Sequence, residues 1–284
     1  MPEPGDKPDR GGGVLGAVLA PIEFIGGRTQ GILDHIGSMV VLTGKAMGWV
    51  SRAMFNRKVR IGRAAIVTQM VRVGVRSLLI ISLVSSCIGL ILALQLAPPL
   101  DEFGQKALVA NIVGVAVLRE LGPLIAAVVL TGFAGAAIAA EIGTMVVGEE
   151  IEALEAHALN PVRFLVVPRI IAATVSMTCL AVVADFVAIV AALATAMLAL
   201  DIPYATFMTN FYDQVKPVDF WTGVGKGAVF GFLIGVIACG NGLQVTGGAA
   251  GVGKATTATV VESVVAIIIT DMIFTAVFYA LGLV

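Results

Sequence analysis

The sequence predicts an all-α integral membrane protein, with an N-terminal interfacial helix and five transmembrane helices. Three observations carry that expectation. Apolar residues make up 58% of the 284 and charged residues 13%, against about 45–50% and about 25% in soluble domains. The apolar residues are clustered in runs that reach the roughly 20 residues needed to cross about 30 Å of hydrocarbon. Basic residues are distributed unevenly: 11 of the 18 Lys and Arg precede residue 77, although the formal net charge is only −1. That balance excludes a nucleic-acid partner. Cys87, Cys179 and Cys239 all fall in apolar runs, where cysteine acts as a small hydrophobe, and no disulfide framework is implied.

Residues 1–13 are polar and rich in Gly and Pro, and read as a disordered tail without the order of a secretory signal. From Val14 to Phe55 no clean 20-residue apolar run forms, but Ile32, Ile36, Met39, Val40 and Thr43 keep helical spacing. Residues 14–60 are therefore read as an interfacial amphipathic region, with a weakly hydrophobic extra span as the alternative. Residues 61–284 form the transmembrane domain.

The first span is expected over Leu78–Ala97, stopped by Pro98-Pro99. The second covers Ala107–Ala140. Its 34 residues would make a helix of about 51 Å, so it must tilt, kink near Gly122-Pro123, or follow a short separate helix. A loop with five Glu is expected over Glu141–Pro161. The third span runs from about Pro168 to Leu200, and a polar and aromatic loop covers 201–219. The fourth runs over Phe220–Ala238. A Gly-rich loop, GNGLQVTGGAAGVGKATT, precedes the fifth at Val260–Val284. With the N-terminus in the cytoplasm, 14 basic residues are cytoplasmic, while only Lys106 and Lys216 lie outside and Arg119 and Lys226 lie within spans. The positive-inside rule favours that orientation and puts the C-terminus outside.

Charges within spans are costly and are candidates for function. Arg119 and Glu120, in LRELGP, point in directions about 100° apart on a helix, and either line a polar cavity or only lock helices together. Asp185, Lys226 and Asp271 carry the same two readings, and Glu262 reads as structural. Gly223, Gly227, Gly231 and Gly235 recur every four residues, as do Thr131, Gly135, Ala139 and Gly143. Both stripes permit close helix packing, within one chain or across a dimer. In GEEIEALEAHALNP, Ile151, Leu154 and Ala158 share a face and the glutamates lie on others. This is a short amphipathic helix suited to a basic groove on a partner, or else a solvated loop.

Gly248–Lys254 imitates a phosphate-binding loop, but Ala255 stands where Ser or Thr would hold magnesium, and no β-strand precedes it. His35 and His157 lack metal-ligand spacing and read as isolated surface residues. No nucleophile, base and acid set is recognisable. Neither a cofactor, a metal nor an enzymatic activity is expected of the chain itself.

LRELGPLIAAVVLTG, AAIAAEIGTM, EEIEAL followed by NPVRFLVVPR, and GVGKATTATVV occur in this order. From about residue 60 to the C-terminus the chain thereby resembles the MlaE/YrbE permeases, the membrane subunits of ABC transporters that move phospholipid or related lipids. The resemblance implies a homodimer in the bacterial inner membrane, docked on a cytoplasmic ABC ATPase that binds the ATP and facing an MCE-domain lipid-binding protein. It implies that Glu149, Glu150, Ile151 and Leu154 form the helix coupled to the ATPase. It places Gln95, Arg119 and Glu120 near headgroups, and Ile88, Leu92 and Leu96 along acyl chains, in a lipid cavity of the first and second spans. Phe133, where the family often has a basic residue, and LAPPL after Gln95 depart from the pattern. The rival class is an ion-coupled secondary transporter or channel using Asp185, Lys226 and Asp271; a third is a scaffold that only assembles other membrane proteins.

Overall fold

The computed structural model describes residues 14–55 and 62–282. The expected tail, and the basic residues Arg57, Lys58 and Arg60, lie outside them. Among the described residues there is no strand, and five helical segments are long and apolar enough to cross a membrane: Arg63–Glu102, Lys106–Val147, Val162–Ala199, Pro217–Leu243 and Gly248–Ala280. They are called the first to fifth spans, and the protein is a multi-pass membrane protein. The end of the bundle at which the first span begins is called the basic end.

Helix α1 (Val14–Phe55) precedes the spans. It buries Leu42 and Ala46 and leaves Ile36, Val40 and Met47 exposed. Met39 and Leu42 lie against Gly240 near the end of the fourth span. Trp49 is stacked between the guanidinium groups of Arg52 and Arg163, 5.3 and 5.5 Å from its ring centroid.

The first span contains α2 (Arg63–Val73) and α3 (Leu78–Glu102), joined by a tight turn. Pro98-Pro99 does not stop α3, contrary to expectation. Proline already holds the helical φ, and the two donors it removes lie in the helix's last turns. Leu96, Ala97 and Leu100 pack into an apolar cluster of the first three spans, which offsets those losses.

The second span comprises α4 (Val109–Ala116), α5 (Gly122–Leu130) and α6 (Ala136–Val147). They are joined by π-helical turns at Val117–Leu121 and Thr131–Gly135. The first turn precedes Gly122-Pro123, the position of the kink that is one of three alternatives read from the sequence. Its widened ring carries the Gly122 N–H to the Val117 carbonyl. At the same spacing the Leu118 carbonyl would need Pro123, which has no N–H. That carbonyl lies instead against Gly223, where a Cβ would sit 2.0 Å from its oxygen. The expected loop at Glu141 starts later, at Gly148, because α6 continues to Val147. Glu141 bonds there to Arg72 (2.7 Å) and Arg169 (3.1 Å), which removes the cost of a lone carboxylate on a helix.

The short helix α7 (Glu150–Ala156) follows, then α8 (Val167–Ala199) in the third span. Residues 201–219 are not simply a loop: α9 (Tyr204–Gln214) buries Phe207 against the bundle. The fourth span, α10 (Pro217–Leu243), and the fifth, α11 (Gly248–Ala280), leave only residues 244–247 between them. The expected Gly-rich loop is therefore mostly helix. Gly247, with φ of 83°, makes the turn, and Gly251 takes up a close approach to the Thr246 carbonyl.

The glycine stripe packs within one chain. A Cβ at Gly231 would lie 2.6 Å from the Met177 Cβ, and one at Gly235 would lie 3.0 Å from the Ile170 Cα, both on α8. The stripe on the second span meets α10, α11 and the turn between them, with Gly135 beside Ile234 and Gly143 against Val245 and Val252. In contrast, α11 buries little of itself: Val261, Val265, Ile268, Met272 and Ile273 are exposed along its length.

Candidate functional site: a charged cluster between the second, fourth and fifth spans

An isolated charge in a bundle must find partners or carry a large desolvation cost. Lys226, 1% exposed in the middle of α10, finds three. Its Nζ lies 2.7 Å from Glu120 Oε1, 2.9 Å from Asp271 Oδ1 and 3.3 Å from Thr275 Oγ1. The ammonium thus sits between two carboxylates and a hydroxyl. The Thr275 hydroxyl also lies 2.8 Å from Glu120 Oε1, and the Phe278 ring is 5.9 Å from the ammonium. Three spans are thus tied at one cation.

One residue away, Arg119 Nε donates to Asp219 Oδ1 at 2.6 Å. Asp219 is fully buried, and its other oxygen accepts the Lys216 N–H at 2.8 Å, closing the first turn of α10. Among the described residues Arg119 bonds through Nε alone, so its remaining donors are left for a ligand. The π-turn places Arg119 and Glu120 towards α10 and α11, while Val117 in the same turn packs into the cluster of the first three spans. A cavity of about 220 Å³ opens beside these groups, with Val115, Ala116, Thr222 and Phe278 completing its walls. It lies in the half of the bundle remote from the basic end, near the start of α10 and the last turns of α11.

The residues expected around one lipid cavity divide into two groups. Arg119 and Glu120 line this cavity. Leu92 and Leu96 pack on the far side of the second span against the cluster containing Ala93, Val113, Val117 and Ala188. Ile88 lies beside Leu121 and Ile125, and Gln95 is exposed on α3. One chain does not bring the two groups together. Asp185 also stands apart from Lys226 and Asp271; its carboxylate abuts Gly122 without a hydrogen-bond partner. The trio that the rival, ion-coupled reading would use is therefore not brought together, although Lys226 and Asp271 are paired.

Asp219, Thr275 and Phe278 were not singled out in the sequence. Asp219 has a signal, as the acid at the third position of a helix beginning at Pro217, but the polar composition of residues 201–219 masks it. Thr275 and Phe278 have no signal apart from their spacing from Asp271.

At the basic end, α7 presents Glu149, Glu150, Glu152 and Glu155 to solvent, while Ile151 packs on the core and Leu154 is half-buried. Glu149 takes a left-handed conformation, φ 58°, to start the helix immediately after α6. His35 is not isolated: its ring nitrogens lie 3.2 Å from Gln244 Oε1 and 3.1 Å from Glu262 Oε2. Asn241 donates to Glu262 at 2.8 Å and to Thr259 at 3.1 Å, so α1, α10 and α11 are joined there.

Residues 66–277 match the model of the permease MlaE family. The chain belongs to the MlaE permease family. It is 32% identical over 255 residues to a probable ABC transporter permease protein of Rickettsia conorii, covering 90% of this chain and 96% of that one. A probable ABC transporter permease protein of Synechocystis is 34% identical over 212 residues, covering 75% of this chain and 81% of that one. The chloroplastic protein trigalactosyldiacylglycerol 1 of Arabidopsis thaliana is 32% identical over 211 residues, covering 74% of this chain and 60% of the other. Membership implies a non-enzymatic membrane subunit and, for an ABC permease, an ATPase partner.

Proposed function

We propose that this MlaE-family permease moves phospholipid or a related lipid between the bacterial inner membrane and an MCE-type lipid-binding partner, driven by a separate cytoplasmic ATPase. The observation that carries the reading is the cavity beside Arg119, Glu120 and Lys226. It pairs charged and hydroxyl groups with apolar walls, as an amphipathic ligand requires. Arg119, with donors to spare, suits a headgroup phosphate, and Glu120 suits an ammonium or hydroxyl. The name of the Arabidopsis relative, that of a glycolipid, agrees with a lipid cargo.

At about 220 Å³ the cavity is below the 300–1,000 Å³ usual for small-molecule sites, so it holds a headgroup rather than a whole lipid. The acyl chains need further walls. A second copy of the chain, packed along the exposed apolar face of α11, supplies them, and Gln95 and the α3 face that bears Ile88, Leu92 and Leu96 line the same path in the dimer. The basic end, with α1 in the interface, faces the cytoplasm, and the C-terminal end of α11 lies outside. There α7 is the coupling helix: Glu149 and Glu150 meet the ATPase, and Ile151 and Leu154 transmit its closure to the bundle.

Charge reversal tests the docking. Glu149→Lys with Glu150→Lys is expected to abolish co-purification of the ATPase while the permease still inserts; full co-purification would overturn the assignment of α7. The purified chain alone is expected to hydrolyse no ATP.

A further inference from the structure

A second charged pocket lies at the other end of the bundle, between the first and second spans. It has a volume of about 240 Å³ and is lined by Gln69, Arg72, Arg76, Phe133, Ala137 and Glu141. Glu141 is its only carboxylate, and both oxygens are engaged, one by Arg72 and one by Arg169. Two guanidinium groups thus hold the carboxylate, and a third, that of Arg76, lines the same pocket. Arg76 has no ion-pair or hydrogen-bond partner among the described residues and is exposed. The Gln69 Oε1 is buried and accepts no hydrogen bond among the described residues.

The apolar run of the first span starts at Leu78, so Arg76 precedes it by two residues, about 3 Å along a helix, where a basic side chain flanks the apolar segment. Phe133 is 43% exposed on the adjoining face, where it continues the apolar wall towards the bilayer. The pocket therefore offers a surplus of cations, one free acceptor and a greasy flank. An arginine that merely snorkels to an interface needs neither the acceptor nor the wall.

We propose that this pocket binds the headgroup of an anionic glycerophospholipid from the leaflet at the basic end. Arg76 and Arg72 hold the phosphate, Gln69 accepts a glycerol hydroxyl, and one acyl chain lies along Phe133 and Ala137. The assignment concerns a different site from the cavity at Lys226 and does not depend on that cavity carrying cargo.

Native mass spectrometry of the full chain released from nanodiscs of phosphatidylglycerol and phosphatidylcholine tests it. The wild type is expected to retain phosphatidylglycerol preferentially. Arg76→Gln, which leaves the Arg72–Glu141–Arg169 pairs intact, is expected to reduce that retention about tenfold. Lys254→Gln removes an exposed charge at the same end, outside the pocket, and is expected to leave retention unchanged. Equal losses in the two variants would mean general surface attraction and overturn the proposal, as would retention unchanged by Arg76→Gln. Glycerol 3-phosphate at millimolar concentration is expected not to displace the lipid; displacement would assign the pocket to a soluble phosphate instead. Because retention is read without transport, failure here leaves the transport reading standing, and failure of transport leaves this site standing.

Discussion

Lys226 is the residue on which the half of the bundle remote from the basic end turns. Removing it leaves Glu120 and Asp271 facing each other without a cation. Breaking a buried pair in this way costs about 3 kcal/mol or more, much more than an exposed pair is worth. Lys226→Met is therefore expected to lower the thermal midpoint in detergent clearly, and Lys226→Met combined with Glu120→Gln and Asp271→Asn to recover part of the loss. No recovery in the triple variant would show that the charges do not act as a unit. The candidates Arg119 and Glu120 were legible because a charge inside an apolar run has few explanations. Their partners were only half legible. Lys226 and Asp271 stood out singly, but nothing in a linear pattern shows that residues 120, 226 and 271 converge. Asp219 was hidden because a polar stretch beside a proline reads as a loop even where it begins a helix.

At the scale of the helix, the packing of α10 decides which glycines matter. A Cβ at Gly223 would sit 2.0 Å from the Leu118 carbonyl oxygen, backbone that can move only with the whole π-turn. A Cβ at Gly225 meets nothing within 4 Å. Gly223→Ala is thus expected to destabilise by about 1–3 kcal/mol. Gly225→Ala should be neutral or stabilising by about 0.5–1 kcal/mol, through helix propensity. Thermal unfolding of the two variants checks this; equal midpoints would refute the close contact. The span count and the order of elements were legible because about 20 apolar residues have one use in such a chain. The boundaries were less so. Polar and Gly-rich ends of the fourth and fifth spans are helical because their polar groups meet one another, as at Asn241, Thr259 and Glu262, and local composition does not reveal those pairings. The same holds for Glu141, read as the start of a loop until its two arginines are found in other helices.

At the scale of the molecule, the two ends are chemically distinct. The basic end carries the acidic helix α7, the arginine pocket and the contacts of α1; the other end carries the charged cavity. The proposed function requires such a separation: under it, energy enters at one end and lipid leaves near the other. The sparse burial of α11 makes the single chain an incomplete enclosure. Under the proposed function it purifies as a dimer, and Ile268→Arg with Met272→Arg on that exposed face is expected to give monomers by light scattering. A dimer unaffected by these changes would move the interface elsewhere. The most direct measurement of the central claim is transfer of labelled phospholipid by the chain reconstituted in proteoliposomes with its ATPase and lipid-binding partner. Transfer is expected to require ATP hydrolysis and to fall at least tenfold in Arg119→Gln, compared at equal amounts of folded, assembled protein. ATP-independent ion flux with no movement of lipid would contradict it.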